Sequence, residues 1–324
     1  MKTFAEISDI IAIEVSKLNW NTEPETLYQP IGYVLSLGGK RVRPAMTLIA
    51  CNMFKDDISE AIKPALGLEI FHNFTLLHDD IMDRADIRRG KPTVHKKWNE
   101  NVAILSGDVM QIIAYQFIAE TPEKHLKKVL DLFSQTAKEI CDGQQYDMDF
   151  EQRENVSVEE YLEMIRLKTA VLLGCALKTG AYIGGANETD AELLYQFGIN
   201  IGLAFQLKDD LLDVYGDEAT FGKKIGGDIL CNKKTFLLLN ALSLAKGEVL
   251  SDLSESLEKS YQQPEEKIRE VTKIYNLLGV KKICEEKMKN YFDEALALLE
   301  KVSVPEYKKQ EINNLAIKLM HRED

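Results

Sequence analysis

Cysteine is scarce. The 324-residue chain has five, at positions 51, 141, 175, 231 and 284, and none stands in a Cys-x-x-Cys pair. An odd, scattered set excludes a disulfide framework and reads as reduced thiols in a cytoplasmic protein. Proline is scarce too, and the eight residues leave long helical patterns uninterrupted. Strand-like alternation is nearly absent. Positive charge is in deficit: 40 Lys and Arg against 52 Asp and Glu give a net charge of −12. That balance argues against nonspecific nucleic-acid binding. No apolar run reaches the ~20 residues of a membrane span. The longest candidate, Leu193 to Leu207, is broken by Gln196, Asn200 and Gln206. The N-terminus, Met1-Lys-Thr-Phe-Ala-Glu6, lacks the charged-then-apolar layout of a signal peptide.

What is present is helix. Phe4, Ile7, Ile11 and Val15 mark an amphipathic first helix. A second is predicted over 24–37, with Pro24 in its first turn and Gly38-Gly39 at its end. Further helices are predicted over 42–54, 58–83, 99–120, 123–150, 158–184, 189–214, 233–246, 264–278, 280–300 and 306–320. With 45% hydrophobic residues, no linker and no long repeat, residues 1–324 read as one all-α domain, a helical bundle around a central cavity.

Two stretches stand out. Leu76-Leu-His-Asp-Asp-Ile-Met-Asp-Arg-Ala-Asp-Ile-Arg-Arg-Gly90 ends an apolar run and holds Asp79, Asp80 and Asp83. Residues four apart share a helix face, so the carboxylates of Asp79 and Asp83 fall about 5–6 Å apart. Like charges that close repel unless a cation lies between them. A hard divalent ion meets that need, because Mg²⁺ takes carboxylate oxygens and keeps positions open for phosphate. Phe205-Gln-Leu-Lys-Asp-Asp-Leu-Leu-Asp213 repeats the pattern with Asp209, Asp210 and Asp213 after a second apolar run. A single acidic cluster could be a solvated or capping face; two identical ones, each followed by basic residues, point to bound cations. Metal bound there would also reconcile the acidic chain with a polyanionic ligand, by making the site locally cationic.

The pair of Asp-Asp-x-x-Asp clusters resembles the aspartate-rich motifs of the trans-isoprenyl diphosphate synthases, the polyprenyl synthase family. The resemblance spans Gly38 to Thr235. It implies a prenyltransferase that condenses isopentenyl diphosphate with an allylic diphosphate, using about three Mg²⁺ ions, with Mn²⁺ as a substitute. Catalytic work falls to Asp79, Asp80, Asp83, Asp209, Asp210, Asp213, Lys168 and Gln206, and the metal ligands are Asp79, Asp83 and Asp209. Partners are the two diphosphates and a second copy of the chain; nucleic acid and a membrane span are not expected.

The resemblance also gives roles to residues that local reading leaves open. Gly38-Gly-Lys-Arg-Val-Arg-Pro44 sets three cations at a helix start, where cations are disfavoured by the dipole. Such a cluster alone could be a solvated turn. By resemblance Lys40 and Arg43 hold isopentenyl diphosphate, together with His72 and Arg89. His72 lies two turns before Asp79 and, read alone, would be an ordinary core histidine; His78 points about 100° away and reads as structural. Arg88, Lys168, Thr169, Lys223 and Lys233 are assigned to the allylic diphosphate, with Gln206 beside the reacting allyl group. Arg88 and Arg89 could equally neutralise Asp83 and Asp86. Gln144 and Asp147 are assigned behind the metals. The family often ends in a basic tail, whereas this chain ends His321-Arg-Glu-Asp324.

By resemblance, product length is expected to be set by Phe74 and Thr75, five and four residues before Asp79, with Phe71 about 12 Å from Asp79 along the helix axis; helical bearing alone does not choose among them. One bulky residue beside a threonine favours geranylgeranyl over farnesyl diphosphate, with longer products as the alternative. A class I terpene cyclase would replace the second Asp-Asp-x-x-Asp, and a noncatalytic synthase subunit would lose one cluster. This chain keeps both.

Overall fold

A computed structural model of the chain describes residues 1–216 and 225–321. It is all-α, with one two-stranded hairpin among the described residues. The chain divides into two compact units that interleave in sequence: residues 1–135, 172–195 and 301–315 form one, and residues 136–171, 196–300 and 316–324 the other.

In the first unit, α1 (Phe4–Ser16) starts on a capping box in which Thr3 and Glu6 satisfy each other's backbone donors. Helices α2 (Glu25–Ser36), α3 (Val42–Phe54), α4 (Ser59–Met82) and α6 (Glu100–Ala119) follow, with the short α5 (Val94–Lys97) before the last. α4 is apolar all round because it lies inside the unit, packed on α3 and α6. Ala65, Leu68, Ile70, Phe71 and Leu77 are all within 2% of complete burial. After α4 the chain turns through a hairpin, β1 (Ile87–Arg88) with β2 (Lys91–Pro92), where a loop is expected from the sequence.

Among the described residues α6 is the one helix long and apolar enough, by length and composition alone, to cross a membrane, and 33% of its apolar window is buried inside the protein. Its other face leaves Ile104, Leu105 and Ile112 exposed by 42%, 57% and 58%.

The helix expected over 158–184 is interrupted. α8 (Val158–Ile165) passes into a π-helical turn, Arg166–Ala170, before α9 (Val171–Gly184). A π turn adds a residue without changing the apolar pattern on either side, so periodicity does not reveal it. α7 (Glu123–Gln152) and α10 (Glu188–Tyr215) run close to their expected bounds. The helix expected over 233–246 begins only at Phe236, after Thr235 caps it by accepting from the Leu238 N–H. A helix that the sequence reading leaves as loop occupies Glu248–Glu258, a largely polar segment whose few apolar residues line one face.

Candidate active site

Each unit carries one aspartate cluster, and each is built differently from what spacing suggests. In the first unit, Asp79 and Asp80 lie in the last turn of α4 and Asp83 caps it in a helical conformation (φ −80°, ψ −4°). The stacking of Asp79 and Asp83 therefore holds. Asp83 is exposed and Asp79 half-buried. Asp80 differs: it is 5% exposed, and both its oxygens are taken by Arg88. The Arg88 Nε lies 2.8 and 2.9 Å from them and Nη2 is 2.8 Å from Oδ1. Burial pushes the Asp80 carboxyl up, and Arg88 opposes that. Asp80 thus places Arg88, whose Nη2 is also 4.0 Å from Asp79. Asp86, the partner of the paired arginines only in the alternative reading, meets Lys96 at 2.9 Å.

The cationic turn assembles around Arg89. Arg41 and Arg89 both adopt left-handed backbone, at φ 45° and 52°. Such strain in non-glycine residues persists where surrounding structure enforces it, and it concentrates at functional sites. Arg89 donates to the Gly38 carbonyl. Gly39 sits so close that a Cβ there would lie 2.8 Å from the Arg89 guanidinium. Arg43 is half-buried and its Nε has no hydrogen-bond partner. Burial draws its guanidinium down to about 10, with Glu69 opposing. His72 is held well below its ordinary value by burial and by Arg43, Arg89 and Arg88, so its imidazole is neutral at pH 7. An unpartnered buried donor among arginines is a vacancy of the kind an anion fills. Lys40 lies in the same turn, exposed. His78 donates from Nε2 to the Ile104 carbonyl at 3.1 Å, in keeping with its structural reading.

In the second unit, a cavity of about 180 Å³ gathers Lys168, Thr169, Gln206, Asp209, Asp213 and Lys233, all named from the sequence. The π turn carries Lys168 and Thr169. It approaches α7 at Gly143, where a Cβ would stand 2.4 Å from the Lys168 backbone nitrogen. Lys168 Nζ reaches Asp147 at 2.7 Å, and the Thr169 hydroxyl donates to Gln206 at 3.4 Å. Burial pushes the Asp147 carboxyl up, but Lys233 and Lys168 outweigh it and leave the group below its ordinary value. Asp210 departs from its neighbours. It is 4% exposed, accepts from the Tyr161 hydroxyl at 2.6 Å and from the Phe236 N–H at 3.2 Å, and burial raises it to about 7. Lys223, the other expected lysine, lies outside the described residues.

Two polar cavity residues, Asp228 and Tyr161, escaped the sequence reading, as did the apolar Met164 and Ile165. Asp228 donates its N–H to Asp213 Oδ2 at 3.0 Å, and Tyr161 anchors Asp210 from 49 positions away. Neither polar residue stands at a helical spacing from the cluster.

The donor set suits a hard divalent ion. Every candidate ligand is a carboxylate oxygen. Among the described residues no three His, Cys, Asp or Glu side chains form a ready cage. Mg²⁺ is held that way, by one or two carboxylates with water and substrate phosphate completing the shell. In the first unit Asp79 and Asp83 offer such oxygens, and in the second, separately, Asp209 and Asp213 do.

The chain-length candidates are packed among aromatics. Phe74 is 8% exposed, with ring centroids 5.4 Å from Phe71 and 4.8 Å from His78. Phe71 meets Phe133 edge-to-face at 5.1 Å, and Phe133 meets Tyr115 edge-to-face at 4.8 Å. The Thr75 hydroxyl donates to the His72 carbonyl at 2.8 Å.

Comparison with known proteins agrees with this picture. The polyprenyl synthetase family model matches residues 24–278. A geranylgeranyl diphosphate synthase of Methanosarcina mazei is 41% identical over 265 residues, 81% of each chain. A geranylfarnesyl diphosphate synthase of Natronomonas pharaonis is 38% identical, over 73% of this chain and 75% of its own. A crystal structure of a geranylgeranyl pyrophosphate synthase superposes with a TM-score of 0.94 at 44% identity, covering 100% of both chains. With a family match over most of its length and two aspartate clusters set in helices as that family requires, the chain belongs to the polyprenyl synthetase family.

Proposed function

We propose that the protein condenses isopentenyl diphosphate head-to-tail with an allylic diphosphate and releases geranylgeranyl diphosphate. The observation that carries the reading is the retention of both aspartate clusters beside arginine and lysine donors placed for phosphate. Asp79, Asp83 and Asp209 would hold divalent metal, Mg²⁺ first. Bound there, the metal stabilises the charge that builds on the departing diphosphate. Lys168, Lys233 and Arg88 add fixed positive charge on that side, and Asp147 keeps Lys168 in place. Thr169 joins Lys168 on the allylic diphosphate, and Gln206 sits beside the reacting allyl group. Lys40, Arg43, Arg89 and neutral His72 hold isopentenyl diphosphate. The carbon–oxygen bond of the allylic substrate ionises to an allylic cation and diphosphate, the isopentenyl double bond attacks that cation, and the proton lost from the adduct passes to the released diphosphate.

One polyprenyl synthase domain over residues 1–324, in the cytoplasm, is the reading that the unbroken family match and the free cysteines support. The active form is a homodimer joined through the exposed Ile104, Leu105 and Ile112 of α6. Light scattering at micromolar concentration is expected to give twice the 36.8 kDa chain mass. A particle of single-chain mass would remove the dimer.

Product length tests the reading directly. The purified chain, given Mg²⁺, farnesyl diphosphate and labelled isopentenyl diphosphate, is expected to make geranylgeranyl diphosphate without a second protein. A cyclised hydrocarbon, or no product, would count against it. Phe74→Ala is expected to lengthen the product by about one isoprene unit, because the Phe71–Phe133–Tyr115 cluster still closes the path behind it. An unchanged spectrum with retained activity would move the length determinant to Phe71 or elsewhere.

A further inference from the structure

We propose that Asn73 is a positioning residue for the isopentenyl diphosphate subsite: it latches the Glu69 carboxylate away from Arg43 and so keeps that guanidinium open to the diphosphate. The inference rests on the assignment of Arg43 made above.

Glu69 and Asn73 lie one turn apart on α4, 5% and 2% exposed. The Asn73 amide donates to the Glu69 carbonyl at 2.8 Å and to Glu69 Oε1 at 3.0 Å, so both its donors are spent on one residue. Its own Oδ1 is buried without a partner. Turning the amide over would set that oxygen against two acceptors, so the orphaned oxygen is the lesser cost. Among the cations acting on Glu69, Arg43 is foremost, followed by Arg89 and Arg41. Arg43, in turn, leaves its Nε without a partner. The buried Glu69 carboxylate thus lies within the field of Arg43, whose buried Nε is unpartnered, while that carboxylate is tied to Asn73. Buried opposite charges ordinarily close into a charge-assisted hydrogen bond. Freed from Asn73, Glu69 would swing onto Arg43 and compete with the incoming diphosphate.

The alternative is that Asn73 only satisfies a buried carboxylate and supports packing. The two separate by rescue. If Asn73 is a latch, removing the carboxylate should repair the loss of the amide; if it serves packing, a second buried change should not.

Steady-state kinetics on the full chain with Mg²⁺, farnesyl diphosphate and isopentenyl diphosphate decide it. Asn73→Ala is expected to raise KM for isopentenyl diphosphate about tenfold, with kcat and the allylic KM changing less than about twofold. The double variant Asn73→Ala/Glu69→Gln is expected to return that KM to within about twofold of the parent. Asn73→Leu, which also lacks donors but fills the space, serves if the alanine variant does not fold. An unchanged KM, or a double variant as impaired as the single one, overturns the latch. Arg43→Ala is measured alongside. If it leaves KM for isopentenyl diphosphate unchanged, the subsite assignment itself falls. If it raises KM and Asn73→Ala does not, the latch alone falls.

Discussion

Asp209→Ala is expected to lower kcat about 10³-fold while far-UV circular dichroism stays that of the parent. The residue lines the cavity with Lys168 and Lys233, on a helix held by its buried opposite face. No neighbour can stand in for it. Asp210 is buried on Tyr161 and the Phe236 N–H, and Asp213 already accepts from the Asp228 N–H. Asp79→Ala is expected to cost a similar factor, since Asp80 next to it is committed to Arg88. Chelation with EDTA should abolish the activity of the parent, and Mg²⁺ should restore it. Because the variants lose an exposed or half-buried carboxylate rather than a packed group, their stability should change by less than about 1 kcal/mol. Near-parental turnover in Asp209→Ala would sink the reading in which both clusters serve one reaction.

Gly143→Ala is expected to lower kcat/KM about 10²-fold by displacing Lys168. A Cβ at position 143 would meet the backbone nitrogen of Lys168 at 2.4 Å, its Cα at 2.8 Å and the Leu167 carbonyl carbon at 2.9 Å. These are main-chain atoms of the π turn, so the turn and α7 must part. Asp147, one turn further along α7, then loses its 2.7 Å contact with Lys168. Helix propensity alone would favour alanine over glycine by about 1 kcal/mol, so any loss has to come from the clash. Overpacking of this kind costs about 1–3 kcal/mol, which leaves the protein folded at 25 °C. The measurement is kcat/KM for the allylic substrate, with Lys168→Ala measured beside it. If Gly143→Ala behaves like the parent, the close approach of α7 to the π turn is not needed for activity. If it matches Lys168→Ala, the displacement accounts for the whole effect.

Local periodicity carried most of the fold. Helix spacing and the scarcity of proline were enough for an all-α chain, and both aspartate clusters were visible because i, i+4 pairs lie on one face whatever surrounds them. The cationic turn at Lys40–Arg43 was legible as charge placed against a helix dipole. What escaped were features that a period cannot express. The π turn at Arg166–Ala170 leaves the apolar stripe intact on both sides, yet it decides where Lys168 and Thr169 emerge.

Residue type and spacing by themselves singled out the two aspartate clusters and the cationic turn, while the roles proposed for Asp79, Asp83, Asp209, Arg43, Arg89 and Lys168 rest on the family resemblance. Tertiary structure decided which members of each cluster remain available. Asp80 and Asp79 are adjacent in sequence, as are Asp210 and Asp209, and the two residues of each pair look alike there. Contacts eight and 49 positions away withdraw Asp80 onto Arg88 and Asp210 onto Tyr161. The reason is burial. A carboxylate inside the protein must find a donor there, and which donor lies within reach depends on how the chain packs rather than on its neighbours in sequence.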